Sequence, residues 1–186
     1  MVENEIFERT DFSINKLEKG AYEGCTFSNC NFYNTDLSNF IFRDCVFDGC
    51  DLSLAALKHT TLSNIRFKNC KLLGLQFMNC NSFLFSADFE NCLLNLAVFY
   101  RLKLKNTRFV NCNLKETDFT EADLTNTAFF NCDMDRAVFY NTNLSKSDFR
   151  SSFNYSFDPE RNRIKKARFS LTGVAGLLNK YDIEIE

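Results

Sequence analysis

The stretch Thr107–Asn131, TRFVN CNLKE TDFTE ADLTN TAFFN, decides the fold. Written in fives, it repeats one order: small, polar, large apolar, polar, polar. Phe109, Leu114, Phe119, Leu124 and Phe129 are the large residues; Thr107, Cys112, Thr117, Ala122 and Thr127 are the small ones. An α-helix needs apolar residues near every 3.6 positions, and a step of five would carry the stripe around it. A long strand alternates with period two, which five also breaks. What fits is a short extended piece with two inward side chains, then a turn, then the next piece.

The step of five runs outward from this stretch, back to Phe7 and forward to Phe149, over 29 centres that are all apolar. It slips once, by two residues, between Phe77 and Leu84. We read an insertion within residues 78–83 as a bulge or small corner loop. A second period gives the cross-section. Phe27, Phe47, Phe67, Phe89, Phe109, Phe129 and Phe149 recur at steps of 20 with one of 22, as do Cys30, Cys50, Cys70, Cys92, Cys112 and Cys132. Four pentapeptides therefore make one coil, and equivalent side chains stack as core columns. About seven coils at the inter-strand distance of ~4.8 Å make a rod of about 35 Å. Phe-x-Asn-Cys recurs before the Cys column, with Gly49 replacing Asn once. Asn and Gly interchange where a turn needs positive φ, so this site is a predicted corner, with Asn29, Asn69, Asn91, Asn111 and Asn131 as a side-chain ladder.

These residues resemble the pentapeptide-repeat family, often written A(D/N)LXX, to which Ala-Asp-Leu-Thr-Asn at 122–126 and Ala-Asp-Phe-Glu-Asn at 87–91 conform. The resemblance covers about residues 5–151. It implies an all-β fold, a right-handed quadrilateral β-helix over 1–152, with 153–186 as a C-terminal cap carrying a short helix. Within the family the compact chain resembles the Qnr and MfpA type. That type implies a homodimer joined through the cap, and a partner, DNA gyrase or topoisomerase IV, bound by DNA mimicry with quinolone resistance as the outcome. The alternative is a structural interaction scaffold with another protein partner.

The cap is predicted from residues as well. Asp158-Pro159 marks a turn. Ala167 and Phe169 have the spacing of one more repeat. Ser170 or Thr172 can cap a short helix over 172–180, with Val174, Leu177 and Leu178 on one side. Tyr181, Ile183 and Ile185 alternate with acids, as a final strand would. Val174, Leu177, Leu178, Tyr181 and Ile183 are the candidate dimer residues.

Chemistry is hard to find. The six column cysteines occupy a site that elsewhere holds Ala or Thr, and Cys pairs five apart lack zinc spacing, so we read them as small buried filler with no metal. His59, the single histidine, falls on an outward corner with no nucleophile assigned to it. No phosphate loop or metalloprotease motif occurs, so an enzyme and a cofactor are not expected. Nine cysteines without a secretory signal suggest reduced thiols and a cytoplasmic chain, and no apolar run is long enough to span a membrane.

The outward positions are left to carry function. Val98, Tyr100, Val138 and Tyr140 fall outward on one face and Val110 and Phe130 on another, a candidate partner surface. Outward Asp at 11, 36, 51, 88, 118, 123, 133 and 148 could form an acidic face, although Lys and Arg at 16, 66, 71, 103 and 108 hold equivalent positions. With a net charge of -2, direct nucleic-acid binding is not expected.

Overall fold

The computed structural model describes residues 1–184. Its strands are as short as a five-residue repeat requires: β1 (Val2–Glu3), β2 (Ile6–Glu8), β3 (Ala21–Glu23), β4 (Thr26–Ser28), β5 (Ile41–Arg43), β6 (Val46–Asp48), β7 (Thr61–Ser63), β8 (Ile65–Lys68), β9 (Ala87–Glu90), β10 (Arg108–Val110) and β11 (Ala128–Phe130). They form two parallel sheets, β2-β4-β6-β8-β9-β10-β11 on the first face and β1-β3-β5-β7 on the fourth. The second and third faces are ladders of single parallel bridges, such as Asp11 to Asn31 to Asp51 to Lys71 and Val98 to Asp118 to Val138. The chain is a parallel β-solenoid, and the seven strands of the first face are separated by six turns of it.

Register follows the sequence period. Phe27 pairs with Phe47, and Phe47 with Phe67. Across the slip Phe67 pairs with Phe89, so the two extra residues are absorbed before β9. Inside, the Phe column stacks nearly face to face: Phe27 on Phe47 at 4.8 Å, Phe89 on Phe109 at 4.9 Å and Phe109 on Phe129 at 5.2 Å. The Phe77, Phe99, Phe119 and Phe139 column meets it edge-on, for example Phe99 to Phe109 at 6.0 Å and 85°. Stacked and edge-to-face pairs each add roughly 0.5–1.5 kcal/mol beyond area burial. The column continues past Phe149 to Phe169, stacked at 5.3 Å.

The corners explain the Asn preference. Among the described residues, 13 of the 25 non-glycine residues at positive φ are Asn, whose short polar side chain tolerates the left-handed region. Asn69, Asn91, Asn111 and Asn131 form the predicted ladder, each amide donating to the one before at 3.0–3.1 Å. Gly49, at φ 66°, breaks it. Asn69 donates instead to Asp48 at 2.8 Å, and Asn29 to Ser28.

Two expectations are corrected. Leu84 is not an inward centre: it is 40% exposed, and Phe85, 7% exposed, enters the core against Phe77 at 5.8 Å. Two extra residues put the chain out of phase with the five-step, so the fourth face loses its strand after β7. Asn81 closes a tight turn there by accepting the Phe83 N–H, and Phe83 at its tip is 87% exposed.

The second correction concerns the cap. The single helix over 172–180 is two 3-10 turns, Gly173–Leu177 and Asn179–Tyr181. Ser170, not Thr172, accepts the Gly173 N–H, at 3.0 Å. No strand forms over 182–184; Asp182 turns into the left-handed region at φ 50°, and Ile185 lies outside the described residues. Glycines within a five-residue segment disfavour an α-helix, and packing requires Gly176. A Cβ there would overlap the Tyr155 carbonyl oxygen, while the Gly176 carbonyl accepts the Phe157 N–H at 3.2 Å. Gly176→Ala is expected to undock the cap at a cost of about 1–3 kcal/mol, seen as a lower urea midpoint and faster trypsin cleavage at Lys180.

Candidate protein-binding surface

The recurring Asp or Asn one residue before each centre has a structural task. Its side-chain oxygen accepts the backbone N–H two residues on, closing the turn: Asp36 to Ser38 at 2.9 Å, Asp51 to Ser53 at 3.0 Å, Asp118 to Thr120 at 2.8 Å and Asp123 to Thr125 at 3.1 Å. Asn31, Asn113 and Asn143 do the same without charge, so the site selects an acceptor rather than an anion. The Ser13 and Ser38 hydrogen bonds hold the Asp11 and Asp36 carboxyls below the usual range. Several of these acids also meet a cation. Lys105 lies 3.2 Å from Asp123, Lys115 lies 3.1 Å from Asp133, and both Arg150 and Arg168 contact Asp148 at 2.9 and 3.0 Å. Among the described residues Asp11, Asp36, Asp88 and Asp118 meet no cation, but the eight outward aspartates are spread over all four faces and do not align as one stripe.

The cysteine column is buried and hydrogen-bonded to the backbone. Cys50 Sγ donates to the Phe27 carbonyl at 3.2 Å, and Cys70, Cys92, Cys112 and Cys132 repeat that contact one coil on. Ser152, Thr117 and Thr142 make the same bond through hydroxyls. A small donor of about that volume is what the position needs. Outside that column, burial alone pushes the Cys80 thiol up to about 12 and leads the causes that raise Cys45 to about 11, so those two thiols stay protonated at neutral pH. Cys112→Ser is expected to cost no more than about 1 kcal/mol, read as a thermal midpoint, and native protein should leave its thiols unlabelled by Ellman's reagent until unfolded. His59 is an exposed corner residue at φ 59°.

The outer surface is less uniform than its repeat. Val138, Tyr140 and Phe130 are 45%, 44% and 41% exposed, while Val98, Tyr100 and Val110 are half-buried. All six point outward, but they do not form one patch: Val110 and Phe130 are on the first face, the other four on the third. Tyr100 also carries Arg101 over its ring, and Arg101 binds Glu121 at 2.6 Å.

A larger apolar surface lies where sequence reading did not look. Leu54 and Leu96 occupy the corner between the second and third faces at φ 59° and 61°; among the described residues they are the only apolar side chains at positive φ. Gly74 holds the same corner in the coil between, and the Leu54 side chain leans over it. Both leucines are more than half exposed, and Tyr33, Leu73 and Leu93 stand exposed beside them on the second face. The left-handed conformation costs a branched side chain about 1–2 kcal/mol, and exposure gains nothing in the free chain. The belt continues on the third face through Val98, whose carbonyl accepts the Met78 N–H, to the exposed Met78. The signal was in the sequence as a Leu where the same corner takes Asn34, Gly74, Glu116 or Arg136 in other coils, but it is visible only once the corner is known to be left-handed.

In the cap, Leu177 is 6% exposed and packs into the chain's own core, so it cannot reach a partner. Val174, Tyr181 and Ile183 remain exposed, and Leu171 joins them at 92%. Tyr181 donates to Glu160 at 3.1 Å, and Lys180 ties the cap to Asp158 and Glu160 at 2.7 and 2.8 Å.

A stacked solenoid whose interior is filled by columns of side chains, with its polar repeat residues bonded to its own turns, defines a scaffold of the β-solenoid class. The pentapeptide-repeat region model matches residues 22–82 and 82–154, and the chain belongs to that family. No curated protein gives a significant sequence match. Among solved structures it is similar to full-length QnrB1, a plasmid-mediated fluoroquinolone resistance protein, with a TM-score of 0.57, 17% identity, and 97% of this chain and 99% of that chain covered. It is also similar to HetL, involved in heterocyst differentiation regulation in the cyanobacterium Nostoc sp. strain PCC 7120, with a TM-score of 0.62, 16% identity, and 92% and 88% covered. At such identities the likeness concerns the fold. Among the described residues no helix is long and apolar enough to cross a membrane.

Proposed function

We propose that the chain is a non-catalytic protein-binding rod whose partner covers the apolar belt around Leu54, Leu73, Leu93 and Leu96. The observation that carries this reading is the pair of exposed leucines in left-handed backbone, a local cost with no return inside the chain. A partner that buries them supplies the return. Leu54→Asn with Leu96→Asn installs the ordinary corner residue, so stability is expected to hold or rise slightly. A photo-crosslinker at position 73 should capture a protein in the wild-type background and lose it in the double variant. Equal capture by both would overturn the belt as the interface.

The narrower proposal names DNA gyrase or topoisomerase IV as that partner, a homodimer joined through 153–186 as the active form, and the cytoplasm as the location. The resemblance of the compact all-repeat chain, with its C-terminal segment, to the Qnr and MfpA type supports the partner, and nine unbridged cysteines suit a reducing compartment. The engaged aspartates weigh against mimicry of DNA, so a topoisomerase would be met through apolar contact instead. A supercoiling assay with ciprofloxacin tests it. Neither protection nor inhibition at micromolar protein removes the topoisomerase and leaves the protein-binding rod standing. For the dimer, Leu171→Lys with Val174→Lys should halve the sedimenting mass; an unchanged mass would place the contact elsewhere or show a monomer.

A further inference from the structure

The fourth face reverses the charge of the rest of the chain. Between residues 102 and 166 its four pentapeptides hold Lys103, Lys105, Lys146, Arg163, Lys165 and Lys166 against the single acid Asp123, a net of +5 in a chain of net -2. Asp123 is already committed, to Lys105 at 3.2 Å and to the Thr125 hydroxyl at 2.6 Å. Lys146, Arg163, Lys165 and Lys166 are all exposed, and among the described residues none of them has an ion pair. They are also close together. The Lys146 N–H donates to the Lys165 carbonyl at 3.0 Å, Lys146 and Lys166 hold successive positions of one corner at φ 62° and 59°, and Arg163 bridges Asn143 on the same face. One face away, by contrast, Arg150 and Arg168 share the single carboxylate of Asp148.

We propose that this face docks a short acidic segment of a protein partner. Four uncompensated cations on two rungs, about 5 Å apart, match a few carboxylates. They do not match a continuous polyanion. The same face toward the N-terminus carries Glu23 and Asp44 against Arg43, so phosphates running beyond the patch would meet repulsion, and nucleic acid is the poorer fit. The patch lies on the opposite side of the rod from the corner of Leu54 and Leu96. It stands or falls independently of the belt, and the leucine variants should leave it intact.

Fluorescence anisotropy of the full chain with a labelled octaglutamate peptide tests the proposal. Binding is expected at 50 mM salt and should weaken about tenfold or more at 200 mM, as exposed ion contacts are screened. The triple variant Lys146→Gln, Lys165→Gln, Lys166→Gln should lose a similar factor while keeping its circular dichroism spectrum. Lys16→Gln, Lys19→Gln, Lys58→Gln serves as a control of equal charge change and should bind like wild type. Absence of binding at 50 mM salt, equal loss in both triple variants, or tighter binding of an eight-nucleotide DNA would each overturn the assignment.

Discussion

Phe109→Ala is expected to destabilise the rod by about 3–5 kcal/mol. Phe109 is fully buried, stacked between Phe89 and Phe129 and meeting Phe99 and Phe119 edge-on at 6.0 and 5.9 Å. The rungs above and below cannot close the gap, because each is pinned by its own ladder, such as Asn91 N to the Val110 carbonyl at 2.8 Å. A chain of this length should lose about 6–20 °C in thermal midpoint. Phe7→Ala provides the comparison. Phe7 sits half-buried at the open N-terminal end, stacked only on Phe27 within its own column, so its removal should cost much less. Equal losses at both sites would mean that stability is not distributed rung by rung, as it is in a solenoid.

Ala122→Glu is expected to be worse still. Ala122 is 1% exposed and inward. The extra side-chain volume costs about 1–3 kcal/mol, and an unpaired carboxylate adds several kcal/mol unless it takes up a proton. Burial raises the folded-state pKa of such a glutamate above its unfolded value of about 4.3. The variant should therefore be closest to wild type below that pH and lose stability as pH rises through the folded pKa. Melts at pH 4 and pH 7 read the difference, and a pH-independent loss would show that the side chain has escaped to solvent. Ala122→Thr is the control. Thr142, one coil on in the same column, is fully buried with its hydroxyl donating to the Phe119 carbonyl at 2.9 Å, so the column accepts that shape.

Most of the scaffold was legible in the sequence because a repeat states each packing rule many times. The Phe and Cys columns, the Asn corner and the location of the slip all follow from spacing. The identity of the residue that resumes the core after the slip does not. Leu84 and Phe85 are both apolar, and only the length of chain needed to turn the corner selects Phe85. The form of the C-terminal segment was not legible, since Gly173 and Gly176 answer to Tyr155, about one coil earlier in the chain. The role of the acidic positions was not legible for a related reason: a side-chain acceptor that closes a turn and an anion that faces a partner are the same letter.

What the sequence determined by itself is the interior, because an apolar side chain at every fifth residue, repeated every 20, fixes which side chains face inward and which stack on one another. What only the tertiary structure decided is the outside. A leucine becomes exceptional once its backbone is seen to be left-handed, and a lysine becomes available once its neighbours are seen to lack a carboxylate. Stacking by 20 residues sets those neighbours, and contacts across coils are made by residues that are distant in sequence.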